Sequence, residues 1–501
     1  MRTKLFLLGC AAGFIALSSP ANAAVEYVKI CSLYGAGFYY IPGTDICMKV
    51  GGYVRTQNEW QSFNGLSYGS TNWVNTPGTT TGGTWGPSTI DDGSFTRSTN
   101  SVNYNFRGVI SVDARNQSEY GTIRSYMRLG VSPLSSQPTA ANSFFFDRAF
   151  IQFAGFTFGV TQSYFDMFSN TERFSYSDAK TSGDTTNYGV GTIAYTAQFG
   201  NGLSATIASE IPRNPGGVLD GTSAAFAVNG VTTQDTAGLN MPDIIGNVRV
   251  DQAWGHVGIS GVLHRVAGQY YNTGENNGHP DDKIGWAAQI GGLVMLPWNN
   301  TFGASFVASK GAVAYATKAG SWQMYHGNSV GVGWVADGIF DNTAPFTNSQ
   351  IYLTNAWSVN AGFEHKWNSQ WKTSVYGGYT KIWYDDEAKN LINIHLPGAA
   401  GSMPCGVAVT GAVWPPVNVT AGDGNSCSPN FSFWQLGTRT QWNITRSLYM
   451  GLDVFYTRLN TAYKGSGPLL YPATTTKPAV SNVSDQETWS AIFRVQREFE
   501  P

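Results

Sequence analysis

The chain has 501 residues, 30 basic against 32 acidic side chains, and a charged fraction of only 12%. Near-neutral charge without basic clustering excludes a nucleic-acid binder, and after the first 23 residues no apolar run is long enough for a membrane-crossing helix. Aromatic residues at 14%, with 59 Gly and 25 Tyr, favour strands and turns over helices, which leaves a large secreted β-protein or a membrane β-barrel.

Residues 1–23 carry Arg2 and Lys4, the apolar run LFLLGCAAGFIAL, and small residues at Ala21 and Ala23. That layout predicts a secretory signal peptide cut before Ala24, with 24–501 as one barrel. The cut removes Cys10 and leaves Cys31, Cys47, Cys405 and Cys427 in an oxidising compartment. Four cysteines allow three pairings. The local one, Cys31 with Cys47 and Cys405 with Cys427, is the expectation.

Alternation then organises the chain. In YNFRGVISVDARNQSEYGTIRSYMRLGV, from Tyr104, residues Phe106, Gly108, Ile110, Val112 and Ala114 share one face. Arg107, Val109, Ser111, Asp113 and Arg115 share the other. After a tight turn, Ile123, Ser125, Met127 and Leu129 oppose Thr122, Arg124, Tyr126 and Arg128. One apolar and one charged face fit a strand between lipid and water. The same pattern places strands near 47–60, 102–116, 120–131, 145–154, 156–164, 188–199, 203–211 and 243–254. It continues near 256–266, 284–296, 301–311, 351–367, 371–384, 431–442, 447–460 and 486–499.

Connections alternate in length. Tight turns carry NQSEY, GNG, WGH, PWNN, NSQ and NITR, whereas polar, Gly-rich segments fill 61–101, 212–242, 312–350, 385–430 and 461–485. The fold class this predicts is all-β: a 16-stranded antiparallel transmembrane β-barrel with long extracellular loops and short periplasmic turns. Trp60, Trp254, Trp298, Trp367, Trp371 and Trp442 at strand ends fit aromatic girdles. Arg497, on the outward set of the last strand, falls near the membrane edge, where a charge costs roughly 0–1 kcal/mol.

Three segments, CSLYGAGFYYIPGTDICMKVGGYVR (31–55), FDRAFIQFAGFTFGVTQSYFDMF (146–168) and the closing FRVQREFEP, resemble the porins of alphaproteobacteria. The resemblance implies the outer membrane of a Gram-negative bacterium and a homotrimer. It implies a water-filled channel that passes ions and small hydrophilic solutes by diffusion. Its other implied partners are outer-membrane lipid, lipopolysaccharide and the barrel-assembly machinery, which reads a terminal aromatic such as Phe499. The third long connection, about 165–187, is then expected to fold into the pore.

In such a channel the functional side chains are those that set width and field. The third connection carries Asp166, Glu172, Asp178 and Asp184, along with Arg173 and Lys180. Alternation points Lys49, Arg55, Arg107, Arg115, Arg124, Arg128 and Arg148 inward from the first four strands, with Asp113 as the acid among them. A basic wall opposite an acidic loop is the expected constriction. Inward-pointing Tyr53, Tyr126 and Phe150 keep a solute-specific channel open as the alternative. No enzyme is expected, because His256 and His264 share a strand without an evident serine or carboxylate partner. Gly331-x-Gly333-x-x-Ala336 lacks the strand–helix setting of a dinucleotide site. Asp91 and Asp385 lack EF-hand spacing, paired Cys-x-x-Cys motifs are missing and the six His are scattered, so neither cofactor nor metal is expected.

Overall fold

Period-two alternation becomes sixteen long strands in the computed structural model. The structure describes residues 31–61, 102–135, 142–177, 180–213, 217–220, 236–319, 322–326, 329–342, 349–395, 428–471 and 480–499. The predicted signal peptide, Asp178, Cys405 and Cys427 lie outside the described residues. In chain order the strands are β1 (Cys47–Gln61), β2 (Val102–Ser118), β3 (Gly121–Ser135), β4 (Asn142–Phe153), β5 (Phe156–Thr161), β6 (Val190–Gly200), β7 (Leu203–Glu210) and β8 (Asp243–Gln252). They continue as β9 (Gly255–Val266), β10 (Lys283–Leu296), β11 (Asn300–Lys310), β12 (Asn355–Lys366), β13 (Trp371–Trp383), β14 (Phe431–Asn443), β15 (Leu448–Asn460) and β16 (Gln486–Glu498).

Each strand pairs antiparallel with the next, and β16 pairs back to β1, from Tyr53 opposite Glu498 to Gln61 opposite Ser490. Closure leaves the barrel sheet without an edge strand, so ladder groups pair between neighbouring strands rather than with water. Each of the sixteen segments read from alternation has its counterpart in this cylinder. Four of the seven short turns need only two residues, and the other three take three or four. At Asn201–Gly202 both φ values are positive, 49° and 76°, the mirror-type turn whose twist matches a hairpin.

The outward face is apolar and open: Ile110, Phe144, Ile207, Leu263, Ile290, Val375 and Leu452 are all exposed. Outward charges fall at strand ends, with Arg265, Lys310, Lys381 and Arg458 on the loop side and Arg497 on the turn side. That distribution follows from the price of a midplane charge, roughly 2–4 kcal/mol.

Sixteen strands enclose more space than their own side chains fill, and the connections fold into it. Buried Trp322, Trp334, Ile339, Tyr384, Phe431, Phe433 and Leu459 belong to one apolar cluster together with Phe165, Phe168, Phe174 and Tyr176 of the third long connection. The cluster draws on the connections next to β11–β16 and on wall residues from β6 (Ala194) round to β16 (Ile492), with none among the described residues of β1–β4. The long connections also carry elements that their Gly-rich composition hid. Among them are a helix, Asp386–His395, and a small sheet holding Ser329–Gly333. Gly331 and Gly333 therefore sit in a strand of that sheet.

The N-terminal segment is tied to β1 twice. Cys31 and Cys47 form a disulfide with Cα atoms 5.4 Å apart, and Tyr39 and Tyr40 pair with Met48 and Cys47. Tyr34 and Phe38 in the closed loop lie 5.7 and 4.9 Å from the Arg115 guanidinium. At the seam, Phe499 N–H donates to Gly52 O (2.9 Å). A Cβ at Gly52 would collide with the Phe499 ring and Val109 O, so only glycine lets the last residues close over the first strand. Replacing Cys31 and Cys47 by Ser should cost roughly 3 kcal/mol by the loop-entropy relation and leave the barrel formed. Thermal melts with gel mobility check this, and an unchanged midpoint would show that the disulfide contributes nothing.

Candidate functional site

The connection 162–189, between β5 and β6, leaves the wall and crosses the lumen. Inward-facing polar side chains of successive strands take up its backbone groups, which would otherwise be orphaned in the interior. Asn247 of β8 donates to Tyr164 O (2.6 Å) and Ser260 of β9 to Phe165 O (2.7 Å). Gln289 of β10 accepts from Met167 N–H (2.8 Å), Ser374 of β13 donates to Phe174 O (2.6 Å), and Asp453 of β15 accepts from Tyr176 N–H (2.6 Å). Wall glycines supply the room. A Cβ at Gly303, Gly362 or Gly451 would strike Phe168, Phe174 or Tyr176 respectively. Glycine weakens a strand interior, and here it forms the groove in which the loop lies.

Glu172 sits at the far end of this crossing. Its two carboxylate oxygens accept from Arg55 Nη1 of β1 and Arg494 Nη1 of β16, both at 2.9 Å. Arg494 also donates to Gln57 Oε1 (2.7 Å) and Tyr176 O (3.0 Å). Glu172 has φ of +63°, a left-handed conformation costing about 1–2 kcal/mol for a residue with a Cβ. Each charge-assisted bond contributes about 1.5–3 kcal/mol, nearer the low end because the side chain keeps 39% of its surface open. Two such bonds outweigh the strain. Enclosure in the barrel works against the charge, but Arg494 and Arg55 prevail and hold the Glu172 carboxyl well below the usual carboxylate range.

The return limb is pinned by other pairs. Asp166 meets Arg213 (2.8 Å) and Thr185 Oγ1 (2.7 Å). Asp184 meets Lys318 (3.0 Å), and Arg148 donates to Thr186 O (2.9 Å). So the structure brings Glu172 to Arg55 but gives Asp166 and Asp184 partners away from the basic strands.

Register sorts the β1–β4 wall into rows. Starting at the turn side, Arg115 lies opposite Arg124, and then Lys49, Asp113, Tyr126 and Phe150 share a row. Above them come Arg128 opposite Arg148, then Tyr53 with Phe145 flanking Val109 and Gly130, then Arg55 opposite Arg107. Guanidinium rows thus alternate with ring rows. Arg124 lies 5.1 and 5.3 Å from the Tyr126 and Phe150 centroids, and those two rings stack at 5.3 Å. Arg107 lies 4.8 Å from the Phe145 centroid and Arg55 5.4 Å from that of Tyr53. Asp113 accepts from Arg115 (2.8 Å) and Arg124 (2.9 Å), and Asp147 from Arg128 Nε (2.8 Å). Between the loop and β6–β9 lies a cavity of about 550 Å³, lined by Ser163, Thr196, Thr206, Asn247, Arg249 and His256 among others.

A family model described as the porin subfamily matches residues 18–492. The chain belongs to the porin subfamily. Porin Omp2b of Brucella melitensis is 30% identical over 281 residues, covering 52% of this chain and 66% of the relative. Porin Omp2b of Brucella abortus matches over the same lengths. The alignment therefore spans slightly less than two thirds of these relatives. The outer membrane channel DcaP of Acinetobacter baumannii shares the fold at a TM-score of 0.56 and 10% identity, over 92% of this chain and 99% of that one. This porin is accordingly an outer-membrane barrel, and its resemblance to alphaproteobacterial porins holds.

Alternation alone missed Asp147. Arg128 pairs with Arg148 while Leu129 pairs with Phe146, so a bulge leaves Asp147 as the extra residue. A bulge turns two successive side chains inward, and period-two counting cannot see it. Glu59, buried near the top of β1, is a third acid on this wall. Arg494 had a readable signal: it falls on the inward set of the closing strand, and closure makes that strand the neighbour of β1. Gly362→Val should push Phe174 out of its groove and free the loop. Trypsin should then cut the folded barrel after Arg173 or Lys180 in the variant but not in the native porin; equal resistance would show that the groove does not hold the loop.

Proposed function

We propose that this porin is a water-filled channel for passive diffusion of ions and small hydrophilic solutes, with a bias toward anions. The carrying observation is the charge imbalance of the β1–β4 wall. Lys49, Arg55, Arg107, Arg115, Arg124, Arg128 and Arg148 stand there against Glu59, Asp113 and Asp147. The described acids of the inward loop do not redress it: Asp166 and Asp184 are engaged by Arg213 and Lys318 outside the wall, and Glu172, shared between Arg55 and Arg494, offsets only one of the seven. The wall and the loop then bound the narrowest section, with the loop acting as a positioned barrier and the arginines setting the sign of the field. Excess positive potential in a low-dielectric cylinder concentrates anions, and charged rows hold water that apolar solutes must displace.

The protein would work as a homotrimer embedded in outer-membrane lipid, an assembly that membership of the porin subfamily favours. The stacked Tyr126 and Phe150 rings on the lumen wall favour a second reading, a channel with a preferred solute. Planar-bilayer recording tests the first: conductance should rise in proportion to salt, with the reversal potential in a KCl gradient on the anion side. Replacing Arg107, Arg124 and Arg128 together by Gln should shift that potential toward cations. An unchanged value would place these side chains off the ion path.

A further inference from the structure

The order of side chains on the wall carries more than its net charge. A sugar track needs aromatic faces in an unbroken line, whereas here every ring row is separated from the next by guanidiniums. Lumen-facing positions on a strand repeat every second residue, so adjacent rows lie roughly 7 Å apart and successive guanidinium rows roughly 14 Å apart. Arg124 and Arg128, four residues apart on β3, frame the Tyr126–Phe150 pair, and Arg107 lies against Phe145 further along. None of these guanidiniums is fully enclosed: the side chains of Arg124 and Arg128 keep 29% and 32% of their surface exposed.

From this alternation we propose that the porin preferentially conducts aromatic carboxylates, passing them from one guanidinium row to the next across the ring rows. The proposal rests on the diffusion reading and names its favoured passenger. A carboxylate on Arg124 or Arg128 places an attached planar ring over the Tyr126–Phe150 row. The carboxylate gains charge-assisted hydrogen bonds, and the ring gains an offset stack while the guanidinium edge stays in contact with it. Neither element suffices alone. Chloride takes only the charge, and a saturated ring lacks the π-face. Partial neutralisation by Asp113 and Asp147 keeps each step shallow, so a solute that binds also leaves.

Benzoate and cyclohexanecarboxylate share charge and nearly share size, which makes them a direct probe. With the potassium salt of one on each side of a bilayer holding the native porin, the reversal potential should report a benzoate preference of roughly two- to ten-fold. In Tyr126→Leu/Phe150→Leu the ratio should fall to about one. Equal permeabilities in the native protein overturn the proposal, as does a preference that survives in the double variant. Equal permeabilities beside normal KCl conductance leave the diffusion reading standing, whereas folded protein that conducts no KCl overturns that reading as well.

Discussion

The Glu172 carboxylate, held between guanidiniums of the first and last strands, joins two problems that a large barrel must solve. A cylinder of sixteen strands has one seam between chain ends, and it has a lumen that its wall cannot fill. Arg55 and Arg494 stand on either side of that seam, and Glu172 reaches them from a loop that began at β5 and crossed the interior. The same pair of contacts therefore ties the seam from within and fixes the position of the loop. A left-handed backbone at Glu172 is tolerated because two charge-assisted bonds exceed its cost.

Once the loop is fixed, the interior becomes asymmetric. Wall glycines and inward polar groups from β8 to β16 receive the loop, the neighbouring extracellular connections add Trp322 and Trp334 to the same buried cluster, and β14 adds Phe433. The arginine rows of β1–β4 lie outside this buried cluster. Asp166 and Asp184 anchor the loop on Arg213 and Lys318, whereas Glu172 takes up Arg55 of the wall itself; in the proposed channel the remaining wall arginines set the field. Loop and wall are thus joined at Glu172 rather than simply opposed across the pore.

Much of the fold was legible because a membrane barrel writes its strands with period two and its ends with turns and aromatics. All sixteen strands followed from that rule, as did the inward direction of Arg107, Arg124 and Arg128. What stayed hidden were departures from the period and long-range pairings. Asp147 faces the lumen only through a bulge. Gly362 reads in sequence as an ordinary weak strand position, and only the Phe174 ring reveals its purpose. Asp166 and Arg213 are 47 residues apart, and nothing local announces their contact. The small sheets inside the long connections were masked by composition that resembles plain loop.

Seam and loop both depend on the Arg55–Glu172–Arg494 clamp. Single-channel recording of Glu172→Gln beside the native porin, at the same salt and voltage, tests it most directly. Losing the carboxylate charge should weaken both bonds and leave Arg55 and Arg494 facing each other, so the loop should fluctuate: open-channel noise and mean conductance should both rise. A trace as quiet as the native one, with the same step size, would contradict the claim that this carboxylate holds the loop in place.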